Sequence, residues 1–258
     1  LSGADSLLAT DLRRNTIKLR PQAPPSHIIS GGGNMSQWLN MTKYTPAQLT
    51  VFLVGCGLWA VVYFIYIRNH RRYGFIEMPV IAAASNIAWE GLWGFKFQTD
   101  MGPLLQWGYQ LWFILDIYIF VMVVRYGVDQ VHLPEFQKHY RAWIIGIMLA
   151  FGVFYYYFQV EGYDTPTGLT SGLIANLFIS ALYPFMLLRK ADLVGVSTAV
   201  AWLKMVGTGL ITLFAFMFFA PGEAWLIKSM GLAVLFLDLY YIWLLAARRR
   251  SLISVKSA

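Results

Sequence analysis

Two carboxylic acids stand in stretches that otherwise read as membrane-spanning helix. They are Glu90, in Asn86-Ile87-Ala88-Trp89-Glu90, and Asp238, in Phe236-Leu237-Asp238-Leu239-Tyr240. An ionisable group in hydrocarbon is costly, so such positions are read first as functional. A third acid, Asp116, stands in Leu115-Asp116-Ile117-Tyr118, which echoes Leu237-Asp238-Leu239-Tyr240. Burial away from water favours the neutral form of a carboxyl group, and a second carboxyl nearby favours it further. At least one of these acids is therefore expected to be protonated at neutral pH. A neutral carboxylic acid in a dry pocket can give a proton to a weakly basic oxygen, which a solvated carboxylate cannot do. Glu90 and Asp238 are the candidate catalytic acids. Asp116 is a candidate further polar contact, and Asn86, one helical turn before Glu90, is placed to hydrogen-bond it. The competing reading makes each acid a structural group bonded to a Tyr or Trp of a neighbouring helix.

The elements that carry these acids follow from composition. Of 258 residues, 58% are hydrophobic and 13% charged, against about 25% charged in a soluble domain. Apolar runs of about 20 residues, enough to cross the hydrocarbon as helix, fall at 48–67, 75–95, 104–125, 142–160, 168–188, 199–220 and 225–247. The expected fold is an all-α bundle of seven transmembrane helices over residues 35–258. Residues 1–34 are expected to be a disordered leader or an appended segment, because Leu7-Leu8-Ala9 is too short for the core of a signal peptide. Basic residues concentrate in alternate connections, with Arg68, Arg71 and Arg72 in the first, Arg125, Lys138 and Arg141 in the third, Arg189 and Lys190 in the fifth, and Arg248, Arg249 and Arg250 in the tail. That asymmetry places the N-terminus outside and the C-terminus in the cytoplasm. It also accounts for the formal charge of +7 without nucleic acid. The membrane would be the endoplasmic reticulum in a eukaryote and the cytoplasmic membrane in a bacterium.

Depth arithmetic at about 1.5 Å per residue puts Asp116 and Asp238 at one level and Glu90 about 9 Å above them, all three facing one elongated cavity. The echo between the third and seventh spans suggests two parallel three-helix repeats joined by the fourth span, an arrangement some transporters use. Trp89, Trp93, Trp112, Tyr118 and Tyr240 are candidate substrate contacts, since inward aromatic faces stabilise a cation. Lys204 is expected to snorkel at the cytoplasmic edge, and Glu77 to sit at a membrane edge. His132, Glu135 and His139 lie in a basic connection, and without a metal-binding histidine pattern no metal or cofactor is expected. The lone cysteine, Cys56, excludes an internal disulfide and reads as a packing residue.

Asn86-x-x-Trp89-Glu90 in the second span, an acid followed by a tyrosine two residues on in the last, and seven spans between Met35 and Arg250 together resemble the small integral-membrane terpene cyclases of meroterpenoid and indole-diterpene biosynthesis. The resemblance implies that Glu90 and Asp238 protonate a terminal epoxide, or alkene, on the prenyl chain of a lipophilic substrate and trigger carbocation cyclisation. The enzyme would be of isomerase or lyase type, with membrane lipids as its other partners. The Asp-Asp-x-x-Asp metal-diphosphate pattern and the Asp-x-Asp-Asp acid motif of soluble terpene cyclases do not occur. The alternatives are a small proton-coupled transporter using the same acids, and a receptor or lipid-binding scaffold.

Overall fold

The computed structural model describes residues 35–131 and 134–256. The leader expected over residues 1–34, and His132, lie outside them. The described chain forms seven principal α-helices: α1 Pro46–Tyr73, α2 Val80–Gly91, α3 Pro103–Tyr126, α4 Pro134–Val160, α5 Leu169–Arg189, α6 Thr198–Phe218 and α7 Trp225–Lys256. Among the described residues, six of these are long and apolar enough to cross a membrane. The other is α2, twelve residues of α-helix continued by a five-residue π-helical turn, Leu92–Lys96.

Local sequence sets the helix ends. Thr45 caps α1 through the Gln48 backbone amide, Gln48 returns a side-chain bond to the Thr45 amide, and Pro46 occupies the first turn, where no backbone donor is needed. Gly74 ends α1 in the left-handed region at φ 67°. The π turn after α2 leaves backbone carbonyls that α3 satisfies. Gln106 Nε2 donates to the carbonyls of Trp93 (2.7 Å) and Gly94 (2.9 Å), and Gln110 Nε2 donates to Gly94 (3.1 Å). Without such partners these groups would be unmet in an apolar surround.

Helix pairing follows the repeat suggested by the echo. α1 packs on α6 as α5 packs on α2; α2 packs on α3 as α6 packs on α7; α1 packs on α3 as α5 packs on α7. α4 lies mainly against α2. Asp116 and Asp238 are both buried, and each meets a polar side chain from the helix preceding its own within the repeat: Asn86 on α2 for Asp116, and Lys204 on α6 for Asp238.

One edge assignment is corrected by packing, and one is kept at the helix ends but buried. Lys204 does not snorkel. It is fully buried, pairs with Asp238 and donates to Ser180 Oγ (2.9 Å), because its place two turns into α6 points it at α5 and α7 rather than toward the helix end. Glu77 is also fully buried, in the connection between α1 and α2, where Oε1 accepts from the Ser197 amide (2.9 Å) at the start of α6. The basic end of α7 closes the bundle: Arg248 bonds the carbonyls of Leu187 and Lys190, and Arg249 that of Val196 at 2.9 Å.

Breaking a buried ion pair from one side leaves an uncompensated charge and costs about 3–5 kcal/mol, whereas replacing both partners by apolar groups is near neutral. Lys204→Met alone is expected to lower the thermal unfolding midpoint in detergent sharply. The double variant Lys204→Met with Asp238→Leu should recover most of the loss, as followed by circular dichroism.

Candidate active site

The site is built where α1, α2, α3 and α5 converge. Helical spacing puts Trp59 and Tyr63 on one face of α1 and Asn86 and Glu90 on one face of α2, each pair one turn apart. All four line a cavity bounded also by Trp89, Tyr109, Trp112 and Asn176. Glu90 is 1% exposed. Its Oε1 accepts from Tyr63 Oη at 2.6 Å and from Asn86 Nδ2 at 3.0 Å, while Oε2 has no hydrogen-bond partner. The same Asn86 nitrogen lies 3.2 Å from Asp116 Oδ2 and 2.5 Å from the Tyr63 oxygen. Asp116 is fully buried, and its Oδ1 also lacks a partner.

One amide group thus gathers two carboxyls and a phenol. Its nitrogen carries two hydrogens for three oxygens within reach, and the Tyr63 hydroxyl supplies the third hydrogen of the cluster to Glu90 Oε1. Glu90 and Asp116 are therefore neighbours, each within reach of the one amide nitrogen. The expected 9 Å offset is corrected because α2 begins at Val80 rather than at residue 75, which shortens the rise to Glu90.

Asp238 does not line this cavity. It is held on α7 by Lys204, with Oδ2 unpartnered, so the single cavity expected for three acids resolves into two polar centres. A run of aromatic groups links them. Lys204 Nζ lies 5.1 Å from the centre of the Tyr183 ring, the Tyr183 and Tyr66 hydroxyls bond each other, and the Tyr66 ring stacks on Tyr63 at 6.2 Å.

The aromatic candidates divide in the same way. Trp89 and Trp112 line the cavity, and Trp93 is buried behind them with its ring 6.2 Å from that of Trp89. Tyr118 and Tyr240 turn away from it. Tyr118 is half-buried beside His70 and Arg71, and Tyr240 is exposed and stacked on Trp243. Each follows its inward-facing aspartate by two residues, about 200° around the helix, so acid and tyrosine cannot share a face. Cys56 is buried on the cavity wall.

Several site residues escaped sequence reasoning. Tyr63 reads as one aromatic among many, although its spacing from Trp59 marks a common face. Asn176 is a polar residue within an apolar span, a signal of the kind that singled out Glu90. Its Oδ1 accepts from Thr208 Oγ1 (3.1 Å), which in turn accepts from Trp59 Nε1 (3.0 Å). Asp164, in the connection before α5, gave no sequence signal. Burial pushes its carboxyl above the ordinary pKa, while bonds from Ser171, Thr165 and Thr170 oppose that shift.

Comparison with known proteins gives the geometry its family. The sequence pattern of the Pyr4-like transmembrane terpene cyclases matches residues 37–250. The Pyr4-family terpene cyclase mfmH of Annulohypoxylon moriforme is 26% identical over 117 residues, 43% of this chain and 47% of that protein. The terpene cyclase ascF of Acremonium egyptiacum is 22% identical over 129 residues, 48% of this chain and 41% of that protein. The matches thus span less than half the length of these relatives. No solved structure matches the chain. These findings favour a cyclase over a transporter. With the match running through all seven helices and the acid cavity, the chain belongs to the Pyr4-like transmembrane terpene cyclases.

Proposed function

We propose that this protein cyclises a lipophilic prenylated substrate of meroterpenoid type by protonating its terminal epoxide, or a terminal alkene, with Glu90 as the donor. The observation that carries this reading is the asymmetry of the Glu90 carboxyl. One oxygen is fixed by Tyr63 and Asn86, and the other is buried without a partner in a side chain that lines the cavity. Asp116, reached through Asn86, is the second carboxyl with which Glu90 holds a proton.

Proton transfer to the epoxide oxygen loosens its bond to the more substituted carbon. An alkene π pair attacks that carbon and forms the first ring bond, further alkenes follow, and loss of a C–H proton ends the cascade. The proton lost balances the proton given, so the overall change is an isomerisation without metal or diphosphate. The walls of Trp59, Tyr63, Trp89, Tyr109 and Trp112 fold the chain for attack and keep out water that would quench the cation. Each ring face presented to the cation stabilises it by about 0.5–2 kcal/mol. Asp238 acts in this scheme by orienting the donor: with Lys204 it fixes Tyr183, and through Tyr66 it sets the Tyr63 ring that grips Glu90.

The same reading takes all seven helices across the bilayer, with α2 completed by its π turn, and puts the arginine-rich C-terminal end in the cytoplasm. The support is the crowding of Arg68, Arg71, Arg72, Arg125, Arg189 and Arg248–Arg250 in alternate connections and the tail. In a Cys56→Ala background, single cysteines placed at Glu223 and at Asp192 should label from opposite sides of sealed vesicles. Labelling from one side would remove this topology.

Membranes bearing the protein, supplied with a panel of aryl-prenyl epoxides, should yield products of unchanged mass and shifted retention by mass spectrometry. Glu90→Gln should remain folded and lose about 10²–10⁴-fold in rate, the scale of general acid catalysis. Full product formation by a folded Glu90→Gln variant would refute the assignment.

A further inference from the structure

A further acid, the half-buried Asp164, takes no part in the chemistry above, and its hydrogen bonds converge on the cavity wall. It precedes α5 by five residues. Its Oδ1 accepts from the backbone amides of Thr165 (2.8 Å), Thr170 (3.0 Å) and Ser171 (3.1 Å). Its Oδ2 accepts the Ser171 hydroxyl. The Ser171 oxygen, having given its hydrogen to Asp164, accepts from Trp89 Nε1 at 2.7 Å. Donors and acceptors are therefore matched along one directed line, from the Trp89 indole through Ser171 to the Asp164 carboxylate. Ser171 is fully buried.

The turn that carries Ser171 fits closely against the same tryptophans. Gly168 lies at φ +71°, and a Cβ there would stand 2.5 Å from the Trp93 ring. A Cβ at Gly172 would stand 3.2 Å from the Trp89 ring. Tyr109 Oη donates to the Thr167 carbonyl (2.8 Å), and its ring meets Trp89 edge-on at 5.4 Å. The Trp89 indole is thus fixed at its nitrogen by a hydrogen bond and along its ring by close packing. It is also the residue immediately before Glu90, so its orientation sets the wall beside the donor.

We propose that Asp164 and Ser171 are positioning residues that fix the Trp89 indole plane, and through it the conformation in which the prenyl chain is held when Glu90 delivers its proton. The consequence for product choice rests on the cyclase reading; the fixing of Trp89 does not. A chain folded against a rigid wall offers one alkene to the first cation, and a wall free to rotate admits other foldings. Removing the Ser171 hydroxyl leaves the indole N–H and the Asp164 carboxylate without their shared partner in a buried site, on the scale of a lost hydrogen bond or more.

The test uses the full chain in detergent, labelled with 5-fluorotryptophan, with the Trp89 fluorine resonance identified by its loss in Trp89→Phe. Ser171→Ala and Asp164→Asn should each shift that resonance and leave that of the outward-facing Trp243 in place, and Ser171→Thr should restore it. With the epoxide panel, Ser171→Ala should lower total cyclised product about tenfold and change the ratio of isomers, while Ser171→Thr recovers both. An unmoved Trp89 resonance in folded Ser171→Ala would overturn the proposal, and so would a shifted resonance accompanied by an unchanged isomer ratio. Failure of the unmodified protein to convert any member of the panel would refute the cyclase reading and with it the product-choice part, while the resonance still decides whether the clamp exists.

Discussion

The Asn86 amide is the contact on which the acid site depends. It lies within hydrogen-bond reach of Glu90, Asp116 and the Tyr63 oxygen, and so draws α1, α2 and α3 together at one point. An apolar bundle gives a carboxyl group little reason to be in one place rather than another. A shared amide supplies that reason, because a polar group left unmet in such surroundings is strongly disfavoured. The arrangement still leaves one oxygen on each carboxyl without a partner, so the cluster is held firmly at one edge and open at the other.

The rest of the molecule supports that edge. The π turn after α2 would leave its carbonyls unmet, and Gln106 and Gln110 of α3 hold them, fixing the end of the helix just beyond Glu90. π-helical turns recur at functional sites because they re-aim side chains at a backbone cost that neighbours must offset. From the other side, α5 presents small residues and a serine to Trp93 and Trp89, so the aromatic wall is set by packing as well as by hydrogen bonds. The two halves of the bundle repeat one packing scheme with different chemistry. An amide meets an acid between α2 and α3, and an ammonium meets an acid between α6 and α7. In the first centre Glu90 lines the cavity with one oxygen unpartnered, whereas Asp238, although it too keeps one unpartnered oxygen, is paired with Lys204 and lies outside that lining. That contrast is the physical ground for giving the proton donor to Glu90 and a supporting place to Asp238.

Much of this was legible in the chain itself. Hydrophobic runs of membrane length, with acids standing inside them, follow from residue order alone, because the cost of a charge in hydrocarbon does not depend on which helix lies beside it. Asn86 and Glu90 share a helical face for the same local reason, and the Asn86-x-x-Trp89-Glu90 pattern together with the acid and tyrosine of the last span and the seven apolar runs suggests the family that the match over residues 37–250 establishes. Which acids meet was not legible. Depth counted along separate helices cannot say which faces turn toward one another, so residue order puts all three acids on one cavity, whereas packing pairs Asp116 with Asn86 and Asp238 with Lys204. Tyr118 and Tyr240 stand next to an acid in sequence but line no part of the cavity, because a helix sends residues two apart to opposite sides. Ser171 and Gln106 were silent for a further reason: the Trp89 indole and the Trp93 and Gly94 carbonyls that they meet stand on other elements, and only the folded bundle brings donor and acceptor into line.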